Sequence, residues 1–176
     1  MELSFKDKTI KYAFYALIIF IAAVLQNVGG AWFSVFGARC FFLIPVCVLL
    51  GVGEDERAAA CFGLFGGILW DMISSNHRFF ASIFLTVVCY VSAWLVTFLF
   101  RNTYRYGIIA SGCSAFLFCI LYWMLFVLIG GGEGRLAALG FFYIPSFVYT
   151  VLMSFVLYII IRPIKTKLNK TSVTVS

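Results

Sequence analysis

Between residues 79 and 100 the chain carries no charged side chain, no proline and no glycine. One helix needs about 20 predominantly apolar residues to cross the hydrocarbon layer of a bilayer. This run meets that requirement, and no ordinary water-soluble fold needs a segment of this kind. Comparable apolar runs lie on both sides of it. Helices are predicted at residues 12–28, 39–52, 57–73, 79–100, 108–129 and 137–161, followed by a polar, basic tail at 162–176. The expected architecture is all-α: one membrane domain over residues 1–176, a compact bundle of about six transmembrane helices. The helix at 39–52 is short for a full span, and Pro45 inside it is expected to kink it.

Composition agrees with lipid as the surrounding medium. The chain has 176 residues, 64% of them hydrophobic and 11% charged, with mean hydropathy +1.06. Soluble domains are about a quarter charged, and a core of this size could not hide so much apolar surface from water. The apolar run after Lys11 lacks a well-placed small-x-small cleavage site, so it is read as the first span rather than a leader. The six cysteines form no Cys-x-x-Cys pair and there is one histidine, so no metal-ligand cluster is visible. The cysteines read as small buried apolar residues.

The net charge of +6 would raise the question of nucleic acid in a soluble protein. Here the basic residues fall between and after apolar runs, so they report sidedness. With six spans, one side receives Lys6, Lys8, Lys11, Arg57, Arg101, Arg105, Arg162, Lys165, Lys167 and Lys170, and the other only Arg39, Arg78 and Arg135. Both termini are therefore expected in the cytoplasm. Arg101, Arg105, Arg162, Lys165, Lys167 and Lys170 are candidates for contact with anionic lipid or a cytoplasmic partner, at about 1 kcal/mol for each basic residue near an anionic surface. Trp32, Trp70, Tyr104, Tyr106 and the aromatics Phe141 to Tyr143 lie near predicted helix ends and fit an interfacial belt.

Asp71 is the most informative residue, because it follows an uncharged run from residue 58 to residue 70. A carboxylate at membrane depth costs a few kcal/mol and calls for a partner. Three readings are open: a polar bond between packed helices, a ligand or coupling-ion site, and emergence into the outer headgroups. Gly63, Gly67 and Asp71 recur at a spacing of four and share one helix face. Gly66 widens that small surface, which allows a helix to approach closely. Glu54, Asp55 and Glu56 open the third helix, where carboxylates suit free N–H groups and the helix dipole. His77 and Arg78 fall in a turn without a nucleophile and orienting acid, and the glycines at 130–134 lack the Gly-Lys-Ser/Thr of a phosphate loop. No convergent acid, base and nucleophile are found, so neither catalysis nor a cofactor is expected.

The order of features over residues 39–101 resembles the MreD family, the membrane subunit of the bacterial rod-shape system. The stretch ARCFFLIPVCVLLG is followed by an acidic turn, GEDER, and then by a glycine-rich helix ending in aspartate, FGLFGGILWDMISS. HRFFASIF and the basic turn RNTYR complete the pattern. Gly66, Gly67 and Asp71 carry most of the likeness. Two features differ from the family pattern: the proline sits well inside the predicted second helix rather than near its start, and the turn before Phe79 lacks a glycine often found there. The resemblance implies a fold similar to the substrate-binding subunits of energy-coupling-factor (ECF-type) transporters. It implies a non-enzymatic scaffold of the bacterial cytoplasmic membrane that binds MreC. That scaffold would link MreB to the RodA–transpeptidase synthase during cell elongation and peptidoglycan synthesis. The alternative on the same fold is a vitamin- or small-solute-binding transporter subunit. Such subunits use small residues at a spacing of four on helix 1, a pattern that Ala13, Ala16, Ala22 and Ala23 do not cleanly supply.

Overall fold

The computed structural model describes residues 5–28, 40–73, 79–99, 105–128 and 139–174. Among these residues there are six α-helices: α1 (Phe5–Val28), α2 (Leu43–Gly51), α3 (Glu56–Ile73), α4 (Phe80–Leu99), α5 (Arg105–Tyr122) and α6 (Ile144–Thr174). A wider π-type turn over Trp123–Leu128 continues α5, and another over Leu139–Tyr143 leads into α6. The described residues include no strand.

Three boundaries differ from expectation. α1 begins at Phe5 and takes Lys6, Lys8 and Lys11 into the helix, because hydropathy marks the lipid-facing part of a helix rather than its end. α2 has only nine residues, and Pro45 is the third of them. The first N–H groups of a helix have no intrahelical partner, so a proline there removes no bond and produces no kink. α6 runs on to Thr174 with Pro163 inside it, so the polar tail predicted after residue 161 is largely helical.

Four segments are long and apolar enough to cross a membrane: Lys8–Asn27, Phe80–Phe98, Tyr106–Phe126 and Ile144–Leu168. At 1.5 Å per residue, the nine residues of α2 extend about 14 Å. α3 is longer but carries Glu56, Arg57 and Asp71. The surface suits lipid. Phe20 and Leu25 on α1, Ile83 and Phe98 on α4, Phe116 on α5 and Ile159 on α6 are exposed, while Ser92, Ser111, Ser114, Ser146, Thr150 and Ser154 are buried. This is the reverse of a protein folded in water. Four of these hydroxyls, on Ser111, Ser114, Thr150 and Ser154, donate back to carbonyls of their own helix, Thr150 to Ser146 at 2.7 Å and Ser154 to Thr150 at 2.8 Å. Satisfied in this way, they let helices approach closely.

α2 is the hub. All nine of its residues are buried, and it packs against α1, α3, α4, α5 and α6. Cross-chain contacts fix the direction of the helices around it. The start of α1, the end of α2, the start of α5 and the distal part of α6 meet at one end, through Lys11, Glu54, Gly107 and Lys165. At the other end Gln26 of α1 and Thr150 of α6 reach the start of α2, and Asp71 reaches the start of α4. There the interior is filled by aromatic rings around Phe118. Its centroid lies 5.2 Å from Phe41, 5.0 Å from Trp70, 5.2 Å from Phe84 and 5.6 Å from Tyr122. Trp70, expected in an interfacial belt, is buried in this cluster instead. Of the cysteines, Cys40, Cys47, Cys89 and Cys119 are buried as expected, but Cys61 and Cys113 are exposed, and none is bridged.

Phe79, just before α4, has φ 67°, a left-handed conformation in which its Cβ is crowded. Such a residue costs roughly 1–2 kcal/mol relative to glycine. Glycine gives back part of that through greater freedom in the unfolded chain. Phe79 is largely exposed, so truncation forfeits little packing. Phe79→Gly is expected to stabilise the protein by about 0.5–1 kcal/mol, seen as a rise in the thermal midpoint in detergent; a lower midpoint would contradict this account.

Candidate functional site: the polar ends of the buried helix

A short helix enclosed on all sides leaves its end N–H and C=O groups without water. Each unsatisfied group in an apolar interior costs on the order of 1–3 kcal/mol. The chain solves this with side chains from its first and last helices. At the start of α2, Gln26 Oε1 accepts from the Leu43 N–H at 3.0 Å, and Thr150 Oγ1 accepts from the Phe41 N–H at 3.2 Å. At the other end the Lys165 ammonium donates to the carbonyls of Leu49 at 3.4 Å and Leu50 at 2.8 Å, and also to that of Val52. A cation at a helix C-terminus also opposes the negative end of the helix dipole.

Glu54, in the turn after α2, completes this end. Its carboxylate lies 2.7 Å from Lys11 Nζ, and the same oxygen lies 3.8 Å from Lys165 Nζ. Tyr15 donates its hydroxyl to Glu54 at 3.4 Å, and both ammonium groups lie over the Tyr15 ring, at 5.7 and 5.9 Å from its centroid. The three charged side chains are at most 8% exposed. A cleft lined by Leu49, Val52, Tyr158, Ile161, Arg162 and Lys165 reaches this cluster and has room for about one water molecule. Among the described residues, no buried side-chain nitrogen or oxygen lacks a hydrogen-bond partner. The cluster is an electrostatic clamp in which one carboxylate engages two ammonium groups.

The second polar node joins α3 to α4, the most extensive helix pairing in the fold. Asp71 accepts from the Ala81 N–H at 3.2 Å, the Ser82 N–H at 2.8 Å and the Ser82 hydroxyl at 2.5 Å. It thereby caps the N-terminus of α4 from the end of α3, where a carboxylate is favoured. Gly63 and Gly67 make the approach possible. A methyl group at Gly63 would strike the Leu85 carbonyl oxygen, and one at Gly67 would strike the Ser82 backbone. Gly66 points elsewhere: a methyl there would lie 2.6 Å from Cys47 Sγ and 3.3 Å from Ile19. The glycine stripe is therefore occupied within the chain, by α4 on one side and by α1 and α2 on the other.

No family model, curated protein or solved structure matches this chain. What the site can do rests on its geometry.

The structure treats the sequence-derived candidates unequally. Gly63, Gly67 and Asp71 act together and Gly66 serves a different neighbour. The acidic turn separates into roles. Glu54 turns into the bundle toward the two lysines instead of capping α3. The Asp55 carbonyl accepts the Ala59 N–H at 2.9 Å, which makes Asp55 the residue that starts α3, and Glu56 is its first residue. Among the basic residues, Lys165 departs most from expectation. It is 1% exposed inside the bundle, not at a membrane or partner surface, because the α2 carbonyls need a donor more than the ammonium needs water. Arg162 and Lys167 are exposed, with Arg162 5.8 Å from the Tyr158 ring centre. Arg105 begins α5 and Lys170 lies in α6. Trp32, His77, Arg78, Arg101, Tyr104 and the glycines at 130–134 lie outside the described residues.

Sequence reasoning missed Tyr15, Gln26, Thr150 and Ser82, and it gave Lys11 only a topological role. The signal was present for two helices. Lys11, Tyr15, Ile19, Ala22 and Gln26 recur every three or four residues, as do Ser146, Thr150, Ser154, Ile161 and Lys165 with one gap. Each set is one face of a helix, and each face carries polar residues at its two ends.

Proposed function

We propose that this chain is a non-enzymatic scaffold of the bacterial cell-elongation complex, an MreD-like protein of the cytoplasmic membrane. It would bind an MreC-like single-span protein and link MreB to the RodA–transpeptidase synthase. The observation that carries the reading is where the acidic motif residues fall. Glu54 of GEDER and Asp71 of GGILWD, the polar marks of the resemblance, are both spent on joining helix ends. They serve the frame, as expected of a protein whose work is to present surfaces. One further detail points the same way. Pro45 is the third residue of α2, near its start as in the family pattern.

In this reading α2 and α3 join the four long segments as the six helices of the bundle, with α2 shielded from lipid by its neighbours. The meeting of the α1 start and distal α6 at one end of the bundle is consistent with both termini facing the cytoplasm. Because α4 covers Gly63 and Gly67, the partner's helix would lie against a different face. The test is affinity purification of the tagged full chain in mild detergent from its native membrane, with mass spectrometry of both proteins and small molecules. A stoichiometric single-span partner and cell-wall synthase components are the expected result. A bound vitamin with no such partner would replace the scaffold with the transporter subunit.

A further inference from the structure

We propose that the part of α6 beyond Pro163 is a hinged arm, and that Lys165 is the latch that holds it to the bundle. Proline has no N–H, so at residue 163 the helix loses the bond to the carbonyl one turn back, and such positions are where helices bend. Among the described side chains beyond this point only Lys165 is buried. Ile164 and Leu168 are half-buried, and Thr166 and Lys167 are exposed. Among the described side chains of the arm, the most deeply seated contact is this one ammonium group, placed on the carbonyls of Leu49, Leu50 and Val52 and facing Glu54, with Leu168 packed at the edge of the core. The cleft beside Arg162 and Lys165 lets water reach that seat, so the latch opens at the distal end of α6 while the contacts of α2 with α1, α3, α4 and α5 stay in place.

Glu54 also couples the arm to the other terminus, because Lys11 of α1 and Lys165 of α6 share one of its oxygens. The sharing sets directions for single changes. Lys165→Met keeps an apolar stem in place, removes the latch and leaves Lys11 and Glu54 as a neutral pair. Lys11→Met leaves Glu54 wholly to Lys165 and strengthens the latch. This inference stands apart from the scaffold reading, since it concerns the chain alone.

Limited trypsin digestion of the full chain in detergent, followed by mass spectrometry, is the test. Cleavage in a helix follows the population of its locally opened form. Lys165→Met is expected to speed cleavage after Lys167 by about tenfold, while Lys11→Met keeps the wild-type rate or slows it. Cleavage after the exposed Arg57, at the start of α3, reports on the rest of the bundle and is expected not to change. The proposal is overturned by a wild-type rate after Lys167 in Lys165→Met. It is equally overturned by acceleration after Arg57 to the same extent, or by equal acceleration in Lys11→Met.

Discussion

Gly67→Leu is expected to prevent α3 and α4 from docking. The first added carbon alone would strike the Ser82 backbone and lie 2.8 Å from the Ala81 carbonyl oxygen. These are main-chain atoms at the start of a helix and cannot rotate aside as a side chain would. Overpacking in a well-filled core costs about 1–3 kcal/mol when side chains can adjust. Against backbone the effect is expected to be at or above the top of that range, roughly 3 kcal/mol or more. Gly140→Ala is the matched control, because a methyl there meets nothing within 4 Å. Size-exclusion profiles and thermal midpoints in detergent should separate the two: loss of the monodisperse peak for Gly67→Leu, and near-wild-type behaviour for Gly140→Ala. A well-behaved Gly67→Leu protein would mean that α3 and α4 are not packed through this glycine.

Asp71→Leu should be the next most damaging change. It removes the acceptor for two backbone N–H groups and one hydroxyl at the start of α4. Hydrogen bonds to a charged group contribute about 1.5–3 kcal/mol each, and leaving a buried donor without a partner adds its own penalty. Contributions within one node are not additive, so the combined cost is expected to be roughly 3 kcal/mol. Asp71→Asn keeps one acceptor oxygen and should lose less than half as much. The order wild type, Asn, Leu in unfolding midpoint is the measurable outcome. A wild-type midpoint for Asp71→Leu would indicate that the carboxylate contributes nothing through these bonds.

The long apolar helices were legible because their periodicity and length are set by the thickness of lipid, which acts on every residue in the run. The small-residue stripe and the isolated aspartate were legible because each is anomalous in an apolar segment. What was hidden depends on partners distant in sequence. Lys165 looks like any lysine at the end of a spanning helix, and only the α2 carbonyls, more than a hundred residues earlier, make it an interior group. α2 itself reads as an incomplete span in a hydropathy profile, whereas in the fold it is a core element with both ends capped from elsewhere. Trp70 carries the same ambiguity. An indole near a helix end suits an interface or an aromatic core equally, and three-dimensional packing around Phe118 decides between them.

The buried position of α2 has a consequence for the order of assembly. A nine-residue segment cannot stand across a bilayer by itself, and its terminal carbonyls and amides have no protein partner until Gln26, Thr150 and Lys165 surround it. Two of those three belong to α6, which leaves the ribosome long after α2 does. The centre of this protein therefore has to wait for α6, and a chain released before it would hold three of the four long hydrophobic segments and no finished middle.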